Sequence, residues 1–354
     1  MNILKPQAKA TLIGSLPIEN HDEALRIVLE HTPDIPLWVQ LPVYPQEGLL
    51  TQFVSGLPGL VRSNDRIILD ASSQNFEHEL LAFYEEYIAV TQGEKPIDTS
   101  RFVLTKDSAP GFFALQKGLR VLPTPFAVKG QITGPVTLSI GMTDQNKQAV
   151  FYNEPLRDAV AKTIALKARW QVKQLRKFGA PVIMFLDEPG LAGFGSSALI
   201  GVSKEDVGKV LAEAIDQIHE EGGLAGVHVC ANTDWSLILD SSADILSFDA
   251  YAYFDRLILY AEKLRNFFKQ GRILAWGIVP TLKEEDIEKE TAESLVERWQ
   301  RQADELAALG INRDDILSQS LITPSCGTGS MSLDHALKVL KLNLAVSNAL
   351  QRLI

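Results

Sequence analysis

Short apolar runs alternate along this chain with longer segments whose apolar residues recur every three to four positions. The first pattern is that of buried strands and the second that of helices packed by one face. Residues 10–17 read as strand one, with Gly14 and Ser15 opening its loop and a helix over 21–31. Residues 36–42 read as strand two. A long excursion follows over 43–125, holding a β-hairpin around 62–66, a helix over about 75–92 and a short helix over 111–118 that partners strand two. Residues 126–135 are strand three and its loop. In the next segment Leu156, Val160, Ile164, Ala168, Val172 and Leu175 form one stripe, and Gly179 is a natural stop.

Residues 181–189 read as strand four, a continuous apolar run of the kind buried on both faces, ending in Asp187 and Glu188. Ser203 opens a helix to about 221. Strand five covers 226–232, with a helix over 234–241. Strand six covers 245–249, with a helix over 255–270. Strand seven covers 273–280, with a helix over 284–309. Strand eight covers 321–326, and Ser332 caps the last helix. Alternation of this kind demands a parallel sheet. Eight units predict an α/β fold, a (β/α)8 TIM barrel forming a single domain over 1–354, with 43–125 as a long insertion after strand two. Insertions of this size serve as lids or binding elements, or are decoration.

Composition narrows the class. The 354 residues are 46% hydrophobic, ample for a large core, and the formal net charge is −10. No basic stripe marks a nucleic-acid partner. No apolar stretch reaches the roughly 18 residues of a membrane span. The first residues lack the apolar segment of a signal peptide. Two cysteines far apart do not suggest a disulfide framework. A cytoplasmic enzyme is the expectation.

Candidate chemistry falls at strand ends, where barrels place their sites. Ser15, Gln40, Gln131, Asp187, Glu188, His228, Cys230, Asp249, Trp276 and Cys326 all lie there. His228 and Cys230 are two apart, so in a strand they project to the same side. With Cys326 and Asp249 they make one imidazole, two thiols and one carboxylate, a set suited to tetrahedral Zn²⁺. The plain alternative is a satisfied core histidine and two small buried cysteines. Zinc held mainly by sulfur favours activating a substrate thiol over hydrolysis. Asp187 and Glu188 suit holding a substrate ammonium or acid/base work; an ion pair or a helix cap is the structural alternative. Lys129 and Gln131 suit the same tasks. Ser15 offers N–H and hydroxyl groups to a substrate carboxylate, or caps a helix.

Five motifs carry a resemblance. Gly-Ser-Leu-Pro at 14–17, Gly-Gln-Ile-Thr-Gly-Pro-Val-Thr at 130–137, Leu-Asp-Glu-Pro at 186–189, His-Val-Cys at 228–230 and Ser-Cys-Gly at 325–327 occur in order. Over nearly its whole length the chain resembles the catalytic C-terminal barrel of cobalamin-independent methionine synthase. That family belongs with uroporphyrinogen decarboxylase and corrinoid-dependent methyltransferases. The resemblance implies that His228, Cys230 and Cys326 are zinc ligands. Asp249 falls where the family has a glutamate ligand one methylene longer. Asp187 matches the carboxylate that holds the amino group of homocysteine, and Ile13 and Ser15 match the residues that hold its carboxylate. The family's Gly-Glu-Pro after strand two is absent, because this stretch reads Gln-Leu-Pro at 40–42. With no second barrel ahead, the chain resembles the short, core-type enzymes, for which a methylated corrinoid protein is the expected donor.

The sequence therefore predicts a zinc-dependent methyltransferase. It would act on a small-molecule thiol, homocysteine giving methionine, with a methylcobamide protein or methylfolate as donor. Asp187 and Asp249 are the expected catalytic groups, and Ile13, Ser15, Asp187 and Gln131 bind substrate. The rival readings are a metal-free enzyme like uroporphyrinogen decarboxylase and a non-catalytic corrinoid- or thiol-binding barrel.

Overall fold

Among the described residues ten short strands form, the longer ones where apolar runs are bounded by loops. The computed structural model describes residues 4–63 and 66–353. The strands are β1 (Lys9–Ala10), β2 (Leu60–Ser63), β3 (Arg66–Leu69), β4 (Val128–Thr133), β5 (Thr143–Asp144), β6 (Val182–Asp187), β7 (Leu224–Val229), β8 (Ile245–Phe248), β9 (Ile273–Val279) and β10 (Ser320–Pro324). Seven of them make a curled, half-barrel parallel sheet in the order β1-β10-β9-β8-β7-β6-β4. All residues of β4, β8, β9 and β10 are buried. That explains the continuous apolar runs, since both faces of each strand are covered. Ile13, Ile35, Ala127, Ile183, Phe185, Ile245, Ile273, Ala275 and Leu321 pack together in one cluster. A larger cluster lies between the sheet and the helices.

The segment expected as strand two is not a strand of this sheet. It touches its neighbours through single parallel bridges, Ser15 with Gln40 and Leu37 with Lys129. Pro36 and Pro42 lack the N–H that a ladder needs, and each side keeps only a few bonds, such as Gln40 N–H to Gly14 O at 3.0 Å. Among the described residues the parallel sheet therefore has seven paired strands.

Several helices match their sequence signals. The stripe from Leu156 to Leu175 is fully buried on Glu154–Arg176. Ser203 and Ser332 each accept a hydrogen bond from a first-turn N–H, capping Lys204–Glu220 and Leu333–Gln351. Other helices are broken where the sequence suggested continuity. The segment 284–309 divides into Glu284–Lys289 and Ala292–Ala308, because Thr291 and Ser294 form a reciprocal capping box between them. The segment 255–270 divides into Ala250–Leu257 and Ala261–Lys269. The helix expected over 234–241 is only Ser236–Leu239.

The insertion over 43–125 holds its expected helices, Phe76–Thr91 and Pro110–Leu119. The hairpin strands β2 and β3 pair antiparallel, and their turn at 64–65 lies outside the described residues. Unforeseen from sequence, β5 joins this hairpin as a third strand. Phe53, Phe83, Phe102 and Phe112 of the insertion belong to the same core cluster as Trp38 and Leu156. The insertion is thus packed into the body of the fold. Among the described residues, no helix is long and apolar enough to cross a membrane.

Candidate metal and substrate site

The site begins with register. Asp187 on β6 stands opposite His228 on β7, and His228 stands opposite Ser247 on β8. Residues in register across neighbouring strands face the same way, so the three polar side chains form one row. Cys230 follows β7 by one residue, and Cys326 follows the end of β10. The ligand atoms of His228, Cys230 and Cys326 all lie within 4.8 Å of one another. The shared face expected for His228 and Cys230 is therefore present, and the fold adds Cys326 to it. The loop carrying Cys326 lies tightly on strand one: a Cβ on Gly327 would sit 2.4 Å from Ser15 Oγ.

His228 is buried. Its Nδ1 lies 3.0 Å from Ser247 Oγ, while its Nε2 is buried without a hydrogen-bond partner. A second-row hydroxyl that fixes one ring nitrogen while leaving the other open is what a metal-ligating histidine needs. Cys230 is held well below the usual thiol range, first by the hydrogen bond from Cys326 and then by His228. The same bond, with burial, pushes Cys326 up. An orphaned imidazole nitrogen and a ready thiolate beside a second thiol fit a soft divalent cation. The group can hold a metal ion.

Asp249 stands outside this group. Its Oδ1 accepts from Ala252 N at 2.8 Å and caps Ala250–Leu257. Burial raises its pKa to about 6, with Cys230 adding to the rise.

A cavity of about 530 Å³ opens beside the cluster, lined by His228, Cys230 and Cys326 and by Ile13, Ser15, Gln40 and Asp187. Burial raises Asp187 to about 6, against the opposing pull of Lys129 and His228. Its Oδ1 is closed off from solvent with no hydrogen-bond partner among the described residues. Lys129 does not supply one: its Nζ donates to Ile13 O at 2.9 Å and Gln131 Oε1 at 3.2 Å. It also lies 4.5 Å from the centre of the Phe185 ring. Burial lowers Lys129 to about 8.

Other expected residues fall elsewhere. Gln131 is fully buried behind Gln40. Glu188 is also buried and faces away from the cavity. It accepts from Val136 N at 3.0 Å, Thr137 N at 2.7 Å and Thr137 Oγ1 at 2.6 Å, capping the helix Pro135–Gly141. Burial nonetheless raises it to about 7. Trp276 is a core residue stacked on Phe254, with its N–H on Ser320. Sequence reasoning missed Glu47, a second carboxylate in the cavity wall. It accepts from Leu41 N at 2.9 Å and lies 2.8 Å from His21 Nε2. No spacing singled it out, because it sits in the insertion rather than at a strand end.

Searches for relatives add nothing to this picture: no protein-family model and no curated protein matches the chain.

Proposed function

We propose that this chain is a zinc-dependent methyltransferase that methylates a small thiol, with homocysteine giving methionine as the leading pair. The observation that carries the reading is the convergence of His228, Cys230 and Cys326 on a cavity that Asp187 also lines. His228 Nε2 and the two sulfurs would hold the ion. When bound, zinc supplies the Lewis acidity that keeps a substrate thiol deprotonated near neutral pH. The residues of the chain do the rest. Ser247 orients His228. Asp187 offers its carboxylate to a substrate ammonium, and Ile13 and Ser15 line the same cavity. The donor is a methylated corrinoid protein or methylfolate. The ordered motifs shared with cobalamin-independent methionine synthase support this reading. They also favour a closed (β/α)8 ring. Residues 35–41 would complete it, since they bridge to strand one on one side and β4 on the other.

The test is zinc content after loading and dialysis, joined to X-ray absorption spectra with and without candidate thiols. One retained zinc per chain, and a new zinc–sulfur bond with an amino-acid thiol, is the expected result. A dialysed protein that keeps no zinc refutes the reading.

A further inference from the structure

The chain has two cysteines, far apart in sequence, and the fold places both sulfurs in one cluster. Both are free, and each is only partly buried. Cys230 sits one residue past the end of β7, and Cys326 sits two residues past the end of β10. Each lies in a bend of the chain, and neither is a rung of a strand ladder. Their Sγ atoms lie within 4.8 Å of each other and are joined by a hydrogen bond. A disulfide needs the sulfurs at about 2.0 Å. Side-chain rotation with a shift of the two bends closes that gap and leaves the sheet pairing intact.

Both cysteines line the cavity of about 530 Å³, so a small oxidant reaches the pair from the side a substrate would use. Two fates of the sulfurs exclude each other. A metal takes them as separate thiolates, whereas a disulfide leaves His228 Nε2 as the sole remaining donor of the cluster. We propose that Cys230 and Cys326 form a redox modification site, which a peroxide closes into a reversible internal disulfide that shuts the metal position. One sulfur attacks a peroxide oxygen, the O–O bond breaks, and a sulfenic acid and a water form. The second sulfur displaces the sulfenic hydroxyl as another water, and the S–S bond forms. Each cysteine gives up a hydrogen and an electron, and the peroxide is reduced to water by taking them. A dithiol reverses the bond by exchange. Closure of the pair is independent of what the site methylates. The accompanying loss of metal rests on the reading of the cluster as a zinc site.

The test treats reduced, metal-free protein with stoichiometric hydrogen peroxide. Intact mass, free-thiol titration and a non-reducing gel follow the product. The expected product is a monomer lighter by two hydrogens, with both thiols lost and a digest peptide pair joining Cys230 to Cys326. Dithiothreitol should return both thiols. Cys326→Ser should lose the internal bond and leave Cys230 as a sulfenic acid that dimedone traps. In zinc-loaded protein oxidation should be slower, and each disulfide formed should release one zinc to a chromogenic chelator. Unchanged thiols, a disulfide between chains, or sulfinic acid in place of the bond overturns the proposal. So does a bond that dithiothreitol leaves closed, or a disulfide-bonded protein that keeps its zinc. A chain that closes the bond reversibly but retains no zinc when reduced upholds the redox pair and sinks the methyltransferase reading. A chain that retains zinc and never closes the bond does the reverse.

Discussion

At the scale of single residues, the site divides into groups that are open and groups already used. Among the described residues His228 Nε2 and Asp187 Oδ1 have no hydrogen-bond partner, whereas Asp249, Glu188 and Lys129 are used. The division orders the expected losses. Cys230→Ser and Cys326→Ser should each abolish zinc retention, measured by metal analysis after dialysis, while leaving a folded chain, because the core clusters are elsewhere. Asp249→Ala should keep most of the metal and instead lose about 1 kcal/mol of stability, typical of a removed helix cap. Equal metal loss in all three variants would make Asp249 a ligand after all. Asp187→Asn should leave zinc content intact. It should weaken methyl transfer to homocysteine by about 1–3 kcal/mol, as for a lost charge-assisted hydrogen bond. Transfer to a simple thiol without an amino group should barely change. Equal weakening of both would place Asp187 in the chemistry itself or in the fold.

At the scale of elements, the loop after β6 serves two purposes through adjacent carboxylates. Asp187 turns to the cavity, while Glu188 turns the other way and satisfies the first free amides of Pro135–Gly141. The first N–H groups of a helix have no partner within it, and here a neighbouring strand's loop provides one. Glu188→Gln would place an N–H₂ where an acceptor is needed. It should lower stability by about 1–3 kcal/mol in denaturant titration with little change in zinc content. Loss of zinc together with stability would show that this helix also holds the metal loop in place.

At the scale of the whole molecule, one buried charge links stability to pH. Lys167 is fully buried on Glu154–Arg176, and among the described residues its side chain hydrogen-bonds only to Ser55 Oγ, at 3.2 Å. Burial lowers its pKa to about 7 from 10.5. Below pH 7 both folded and unfolded chains hold the proton, and burial of the charge costs its full amount. Between pH 7 and 10.5 the unfolded chain binds more protons, so this group's contribution to stability rises with pH. Lys167→Met should therefore stabilise the protein at pH 6 by roughly 2–4 kcal/mol and flatten the pH profile above neutrality. A wild-type profile with no rise above pH 7 in excess of the variant's would contradict this. The sheet gives a second test. Amides inside β6 and β7 are flanked on both sides by full ladders. The amides of residues 37–40 have single bridges. Hydrogen exchange should protect the former to near the global limit and release the latter sooner. Equal protection would mean that the ring is as firmly closed at strand two as elsewhere.

The sequence by itself determined most of the periodic structure, for a local physical reason. A strand buried on both faces must be apolar throughout, and a helix packed by one face must repeat its apolar positions. The runs at β6 and β9 and the stripe from Leu156 to Leu175 were legible in that way. Capping signals at Ser203 and Ser332 were equally local. So was the pairing of His228 with Cys230, because strand geometry sends both to one side. The break at Thr291 was also written locally but is masked by the apolar pattern on either side of it. Tertiary structure alone decided the rest. Strand two carried the run of a strand, yet only its neighbours reveal that it makes single bridges. Which carboxylate faces the cavity depended on where Pro135–Gly141 lies against β6. Glu47 entered the wall because the insertion folds back over the strand ends. Backbone preference acts between neighbours in sequence, while hydrogen-bond complementarity acts between neighbours in space.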